Sequence, residues 1–136
     1  MSENALDTIF RTQMAAYADC DVDALVATFT DDCVLVDMAD VDHPFVGTDA
    51  VRGFLVDYFA TLRHVVVDVT MVATGTDSVI GELDVTADYV GAPFTEQTPR
   101  PIRLRYCVAE EIRDGGVSRE RFYWDSADLE RQLTVV

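Results

Sequence analysis

Lysine is absent from all 136 residues. The 10 basic side chains are arginines, and they stand against 25 acids, of which 18 are aspartates, for a net charge of −15. A field of that sign repels phosphate backbones and anionic headgroups, so no nucleic-acid or membrane partner is expected. Two origins account for the missing lysine. One is a salty host cytoplasm, where an acidic surface keeps proteins soluble under strong screening; the other is a GC-rich genome that favours arginine codons. Cysteine is also scarce. Cys20, Cys33 and Cys107 are odd in number and form no CxxC spacing, which argues against a disulfide framework and against zinc. Cys33 and Cys107 lie in strand-like runs and read as small core residues. The two histidines, His43 and His64, lack the i, i+4 pairing of helical metal ligands, so no metal is expected. No apolar run approaches the roughly 18 residues of a membrane span. The start, MSENALDTIF, has no basic segment followed by an apolar stretch, so the cytoplasm is the expected compartment.

What is present points to one folded domain over residues 1–136. Apolar residues make up 49% and charged residues 26%, enough to build a core at this length. Leu6, Ile9, Phe10, Met14 and Tyr17 recur at helical spacing and predict a helix from Ala5 to Ala18, capped by Asn4. A short helix follows Asp21 and buries Val22, Leu25, Val26 and Phe29. In FTDDCVLVDM, Asp31 and Asp32 read as a turn, and Cys33 to Val36 as a strand that stops on Asp37. Side chains alternate along a strand, so Asp37 shares a face with Leu35 and Cys33. It is either a solvated strand end or a carboxylate aimed into an apolar pocket.

Thr48 reads as the cap of the most regular helix, with Val51, Phe54, Leu55, Tyr58, Phe59 and Leu62 on one stripe. After Arg63 the period changes to two. HVVVDVTMVAT, SVIGELDVTADYV, IRLRYCVAEEIR and VSRERFYWD predict four strands, the last two joined by a DGG hairpin. SADLERQL predicts a closing helix. The class is α+β: three N-terminal helices on a curved, mostly antiparallel sheet, then a short C-terminal helix. Such a sheet wrapped on a long helix leaves a cone-shaped barrel with an apolar interior. Tyr17, Phe54, Tyr58, Tyr106, Phe122 and Trp124 would line a ligand pocket there, or simply fill the core. His43, in the loop beyond Asp37, is a candidate lid residue or an exposed loop histidine. The strip Glu82, Asp84, Thr86, Asp88, opposite Arg103, Arg105 and Arg113, reads as the outer face of the sheet.

DVDALVATFTDDCVLVD, HPFVGTDAVRGFL and RDGGVSRERFYWDSADLERQL, with the helix before and the strands between, resemble the nuclear transport factor 2-like superfamily. Nearest are its SnoaL-like polyketide cyclase and ketosteroid isomerase branches. The resemblance implies a general-base aspartate at the end of the first strand, where Asp37 falls. It implies an oxyanion-holding tyrosine on the first helix, where Gln13 stands and Tyr17 lies one turn on. The protonated acid of the isomerases has no counterpart around Arg103 to Val108, and the Asp-Arg-Asp set of the epoxide hydrolases is incomplete at Cys107. Asp125 falls near the C-terminal acid/base aspartate of the cyclases; read from its neighbours alone, it caps the last helix. The implied function is cofactor-independent acid/base chemistry (isomerisation, cyclisation or dehydration) on a small apolar, carbonyl-bearing molecule. Catalysis would fall to Asp37, Tyr17 and Asp125. Gln13, Leu35, His43, Phe54, Tyr58, Tyr106, Phe122 and Trp124 would bind substrate. A non-catalytic binding module and a structural dimerisation domain are the rivals. The resemblance also implies a homodimer formed through the outer sheet face.

Overall fold

The structure is a computed structural model and describes residues 1–135. Three helices come first: α1 (Glu3–Ala18), α2 (Val22–Val26) and, after the strands β1 (Phe29–Asp37) and β2 (Phe45–Val46), α3 (Thr48–Ala60). Four strands follow: β3 (Leu62–Thr74), β4 (Ser78–Tyr89), β5 (Arg100–Arg113) and β6 (Gly116–Tyr123). Helix α4 (Ser126–Leu133) closes the described chain. All six strands join one sheet in the order β2-β1-β6-β5-β4-β3. The meander β3 to β6 is antiparallel, and β1 lies parallel to β6, with Leu35 opposite Glu120 and Asp37 opposite Phe122.

Each element follows from its local chemistry, with several departures from expectation. Helix α1 is capped by Ser2, whose hydroxyl accepts from the Ala5 N–H, and not by Asn4, which lies inside the first turn. Asp21 caps α2 as expected. Gly47, at φ +85°, precedes α3 in a conformation that suits glycine, so Thr48 is the first helical residue. Leu62 belongs to β3 and not to the helix. Asp31 and Asp32 do not make a turn. They are exposed residues inside β1, where the register with β6 shifts between Phe29 and Val34, and this irregularity absorbs two adjacent acids without burying either. Asp114 and Gly115 both have positive φ, as a two-residue hairpin of type I′ requires.

Period-two alternation then decides the inside of the cone. Val79, Leu83, Val85 and Ala87 of β4 and Ile102, Leu104, Tyr106, Val108 and Ile112 of β5 are buried. They pack against Leu6, Phe10 and Met14 of α1 and Val51, Leu55 and Phe59 of α3. Cys33 is fully buried in this core, but Cys107 alternates with Tyr106 and Val108, faces outward and is partly exposed. On the outer face Arg103 holds Asp84, and this guanidinium keeps the Asp84 carboxyl below its usual range. Arg113 departs from the expected strip and pairs with Asp32 of β1.

Beyond Cys107, β5 runs past the last paired residue of β6 and has a free edge. There Gln132 of α4 accepts from the Arg103 N–H at 2.8 Å and donates to its C=O at 2.7 Å, standing in for the missing strand.

Candidate functional site

Between α1, α3 and the inner sheet face lies a cavity of about 60 Å³. Its walls are almost entirely apolar: Met14 from α1, Leu25 from α2, Leu35 from β1, Phe54 and Leu55 from α3, and Val108 and Phe122 from the sheet. The polar atoms come from two groups of residues.

The first group is a chain of phenols. Tyr17 of α1 and Tyr58 of α3 share a hydrogen bond, and Tyr58 continues to Tyr106 of β5 at 2.9 Å. Burial, foremost, pushes all three hydroxyls well above their ordinary range. The charge of a neighbouring phenol adds to this, and for Tyr106 the Asp37 carboxylate adds as well. The chain is therefore neutral. Three hydroxyls carry three protons and two bonds use two of them, so one O–H is left to donate elsewhere.

The second group is acidic. Gln13 of α1 is 1% exposed, and its Nε2 donates to Oε1 of Glu120 at 2.9 Å. Glu120 lines the cavity. Directly opposite it on β5 is Glu110, also 1% exposed. Among the described residues, neither oxygen of Glu110 has a hydrogen-bond donor, and Oε1 of Gln13 has no partner either. Burial, foremost, and the adjacent Glu120 carboxyl push the Glu110 carboxyl well above the usual carboxylate range.

Of the site residues expected from sequence, Gln13, Tyr17, Leu35, Phe54, Tyr58, Tyr106 and Phe122 stand together in the cavity wall. Trp124 lies one layer out, its ring 5.8 Å from that of Tyr106. Asp37 is half-buried beside the cavity and not in its wall. Its Oδ1 accepts from the Trp124 indole at 2.8 Å and from the Ala39 N–H at 2.9 Å. Thus it is neither a free strand end nor part of the cavity wall: the Trp124 indole and the Ala39 N–H hold it beside the cavity. Asp125 accepts from the Asp128 N–H as the cap of α4 and pairs with Arg131, outside the cavity. His43 is 78% exposed and bonded to Asp40, whose carboxylate raises its pKa; it too is outside.

Sequence reading missed Glu110 and Glu120, although the signal was there. The inward series Ile102, Leu104, Tyr106, Val108 reaches Glu110 at its next step, and Phe122 and Trp124 lead back to Glu120. Among 25 acids, nothing but this alternation marks the two.

A cone of helices and curved sheet around an apolar cavity, with a few polar groups turned inward, defines a small α+β domain of the nuclear transport factor 2-like fold. The chain matches the SnoaL-like domain family over residues 10–120 and belongs to that family. No curated protein matches it. Among solved structures it is similar to a protein of ketosteroid isomerase-like fold from Catenulispora acidiphila in complex with trimethylamine, at 21% identity and a TM-score of 0.78, covering 91% of this chain and 90% of that one. It is also similar to an LEH-like epoxide hydrolase of M. tuberculosis, at 19% identity and a TM-score of 0.74, covering 95% and 88%. A third is TerC co-crystallised with polyporic acid, at 14% identity and a TM-score of 0.77, covering 94% and 97%. At these identities the likeness establishes the fold.

Proposed function

We propose that this SnoaL-like domain is an acid/base enzyme that needs no cofactor and isomerises, cyclises or dehydrates a small apolar molecule bearing a carbonyl group. One observation carries the reading: the tyrosine chain brings a spare O–H into an apolar cavity. In such surroundings a donor aimed at a carbonyl oxygen stabilises the charge that develops when a neighbouring proton leaves. The small molecules bound by the Catenulispora protein and by TerC support a small-molecule ligand for the same fold. When the two bonds run in one direction, the spare O–H lies at an end of the chain, on Tyr17 or Tyr106, and Tyr58 passes the polarity between them. Asp37 serves this reading from the side, holding Trp124 against Tyr106. Its Oδ2 is the carboxylate oxygen not engaged by the indole or by Ala39.

The outer face of the sheet is the proposed self-association surface. There Val66, Met71, Ile80 and Tyr123 are exposed among the Asp84–Arg103 contacts. The three thiols are unpaired, which suits a reducing compartment, and the cytoplasm is the proposed location.

The test is deuterium exchange. In D2O, the protein is expected to speed incorporation of deuterium next to the carbonyl of small ketones such as cyclohexanone, followed by NMR. Tyr58→Phe, which removes both bonds of the chain, is expected to lower that rate by about 10²-fold. A non-catalytic binding module is the second reading, favoured by the withdrawal of Asp37 from the wall. Ketone binding without exchange would establish it in place of the enzyme.

A further inference from the structure

We propose that Glu110 and Glu120 form a carboxyl pair sharing one proton at the inner end of the cavity, with Glu120 exchanging protons with a bound molecule and Glu110 holding the shared proton behind it. The inference rests on the reading of the cavity as an acid/base site. It adds the group that moves the proton, a role for which the wall offers no other carboxylate among the described residues.

The geometry comes first. The two residues are direct cross-strand partners on β5 and β6 and both face into the cone, so their side chains are immediate neighbours. Two like charges so placed repel each other, and burial removes the water that would screen them. Gln13 and Tyr17 from α1 and Cys33 from β1 lie near the pair, and Tyr58 from α3 and Tyr106 from β5 share the cavity wall with Glu120. None of these is a cation. The acceptors, meanwhile, lack donors: both Glu110 oxygens and Oε1 of Gln13 have none. A buried acceptor left without a donor is costly, more so if charged. One proton on the pair meets part of this need: it turns one Glu110 oxygen into a donor toward the Glu120 oxygen that Gln13 does not occupy. Glu110 is kept well above the usual carboxylate range by its surroundings, in the direction this requires.

Of the two, only Glu120 reaches the cavity wall, so it is the catalytic residue, and Glu110 and Gln13 are positioning residues. On a ketone the step balances without an oxidant or reductant. The Glu120 carboxylate takes the proton from the carbon beside the carbonyl, and a new O–H bond forms. The C–H electron pair becomes a carbon–carbon double bond, and the carbonyl π pair moves onto oxygen, held by the spare tyrosine O–H. Return of a proton from the pair to the same or a conjugated carbon restores the starting charge.

The experiment is a pH titration of the intact protein carrying 13C at the glutamate side-chain carboxyls, of which there are seven. One resonance is expected to keep the protonated position at pH values where free glutamates, with a pKa of about 4.3, are ionised. It should vanish in Glu110→Gln and move its midpoint to lower pH in Glu120→Gln. Glu120→Gln should also lose ketone exchange by about 10²-fold or more. Seven glutamates that all titrate in the ordinary range would overturn the pair, even if exchange persists. So would a high-pH resonance indifferent to Glu120→Gln, a comparison that does not depend on the folding of Glu110→Gln. A pair with the expected titration in a protein that exchanges no ketone would leave the pair standing and remove the carbonyl reading instead.

Discussion

Replacing Glu110 by glutamine is expected to raise the thermal unfolding midpoint near pH 7 by roughly 5–10 °C, and to change it little near pH 4. The sign follows from proton linkage. The folded-state pKa of Glu110 is raised, whereas in the unfolded chain it is about 4.3. Between those two values the native state holds a proton that the unfolded state has released. Stability therefore falls as pH rises through the unfolded value, and the loss levels off above the folded one. Below both values Glu110 is protonated in either state and costs nothing by this route. Glutamine has no proton to lose, and its amide donates to Glu120 at every pH, so the gap between variant and parent opens with pH. The size follows from the linkage, about 1.4 kcal/mol for each pH unit over which the native state holds a proton that the unfolded chain has lost. Calorimetry at the two pH values checks it. An equal shift at both, or a lower midpoint near pH 7, contradicts the assignment.

Gly81→Ala is expected to destabilise the fold by about 2–3 kcal/mol, although the change adds one methyl group. Gly81 lies on the inner face of β4, beneath the ring of Phe10. A Cβ there would stand 2.2 Å from Cζ and 2.4 Å from Cε1 of that ring. Phe10 is 0% exposed, enclosed by the core that α1 and the sheet share, so the ring has little room to withdraw. Interiors at this packing density transmit such a shift to their neighbours. Shortening Phe10 to leucine in the same chain should recover part of the loss, because the two changes meet at one contact. Urea unfolding measures both. An unchanged midpoint in Gly81→Ala would show that the ring moves freely, contrary to its burial.

The same contrast between periodic and non-local information explains what the sequence made legible. Helices α1 and α3 and the meander were readable because a repeated spacing marks each of them. That spacing alone carried Tyr58, Tyr106 and Phe122 to the cavity wall. The parallel pairing of β1 with β6 joins the two ends of the chain, and no local pattern records it. Strand β2 is two residues long, too short for a period. Asp31 and Asp32 looked like a turn because adjacent acids shun a strand, yet an irregular register lets the strand run through them. Asp37 lay at the expected strand end, but its partner Trp124 is 87 residues away, and that hydrogen bond decides where the carboxylate points. Glu110 was missed for a different reason: it continues the inward alternation of β5, but a carboxylate is rarely buried, so the spacing alone did not single it out.

A small molecule is expected to meet the tyrosine chain and Glu120 inside the cone. NMR shift mapping during titration with a panel of small ketones tests it most directly. The largest changes are predicted at the Gln13 side-chain amide and the rings of Tyr17, Tyr58, Tyr106 and Phe122. Changes confined to the outer face of the sheet, or none across the panel, would contradict the account.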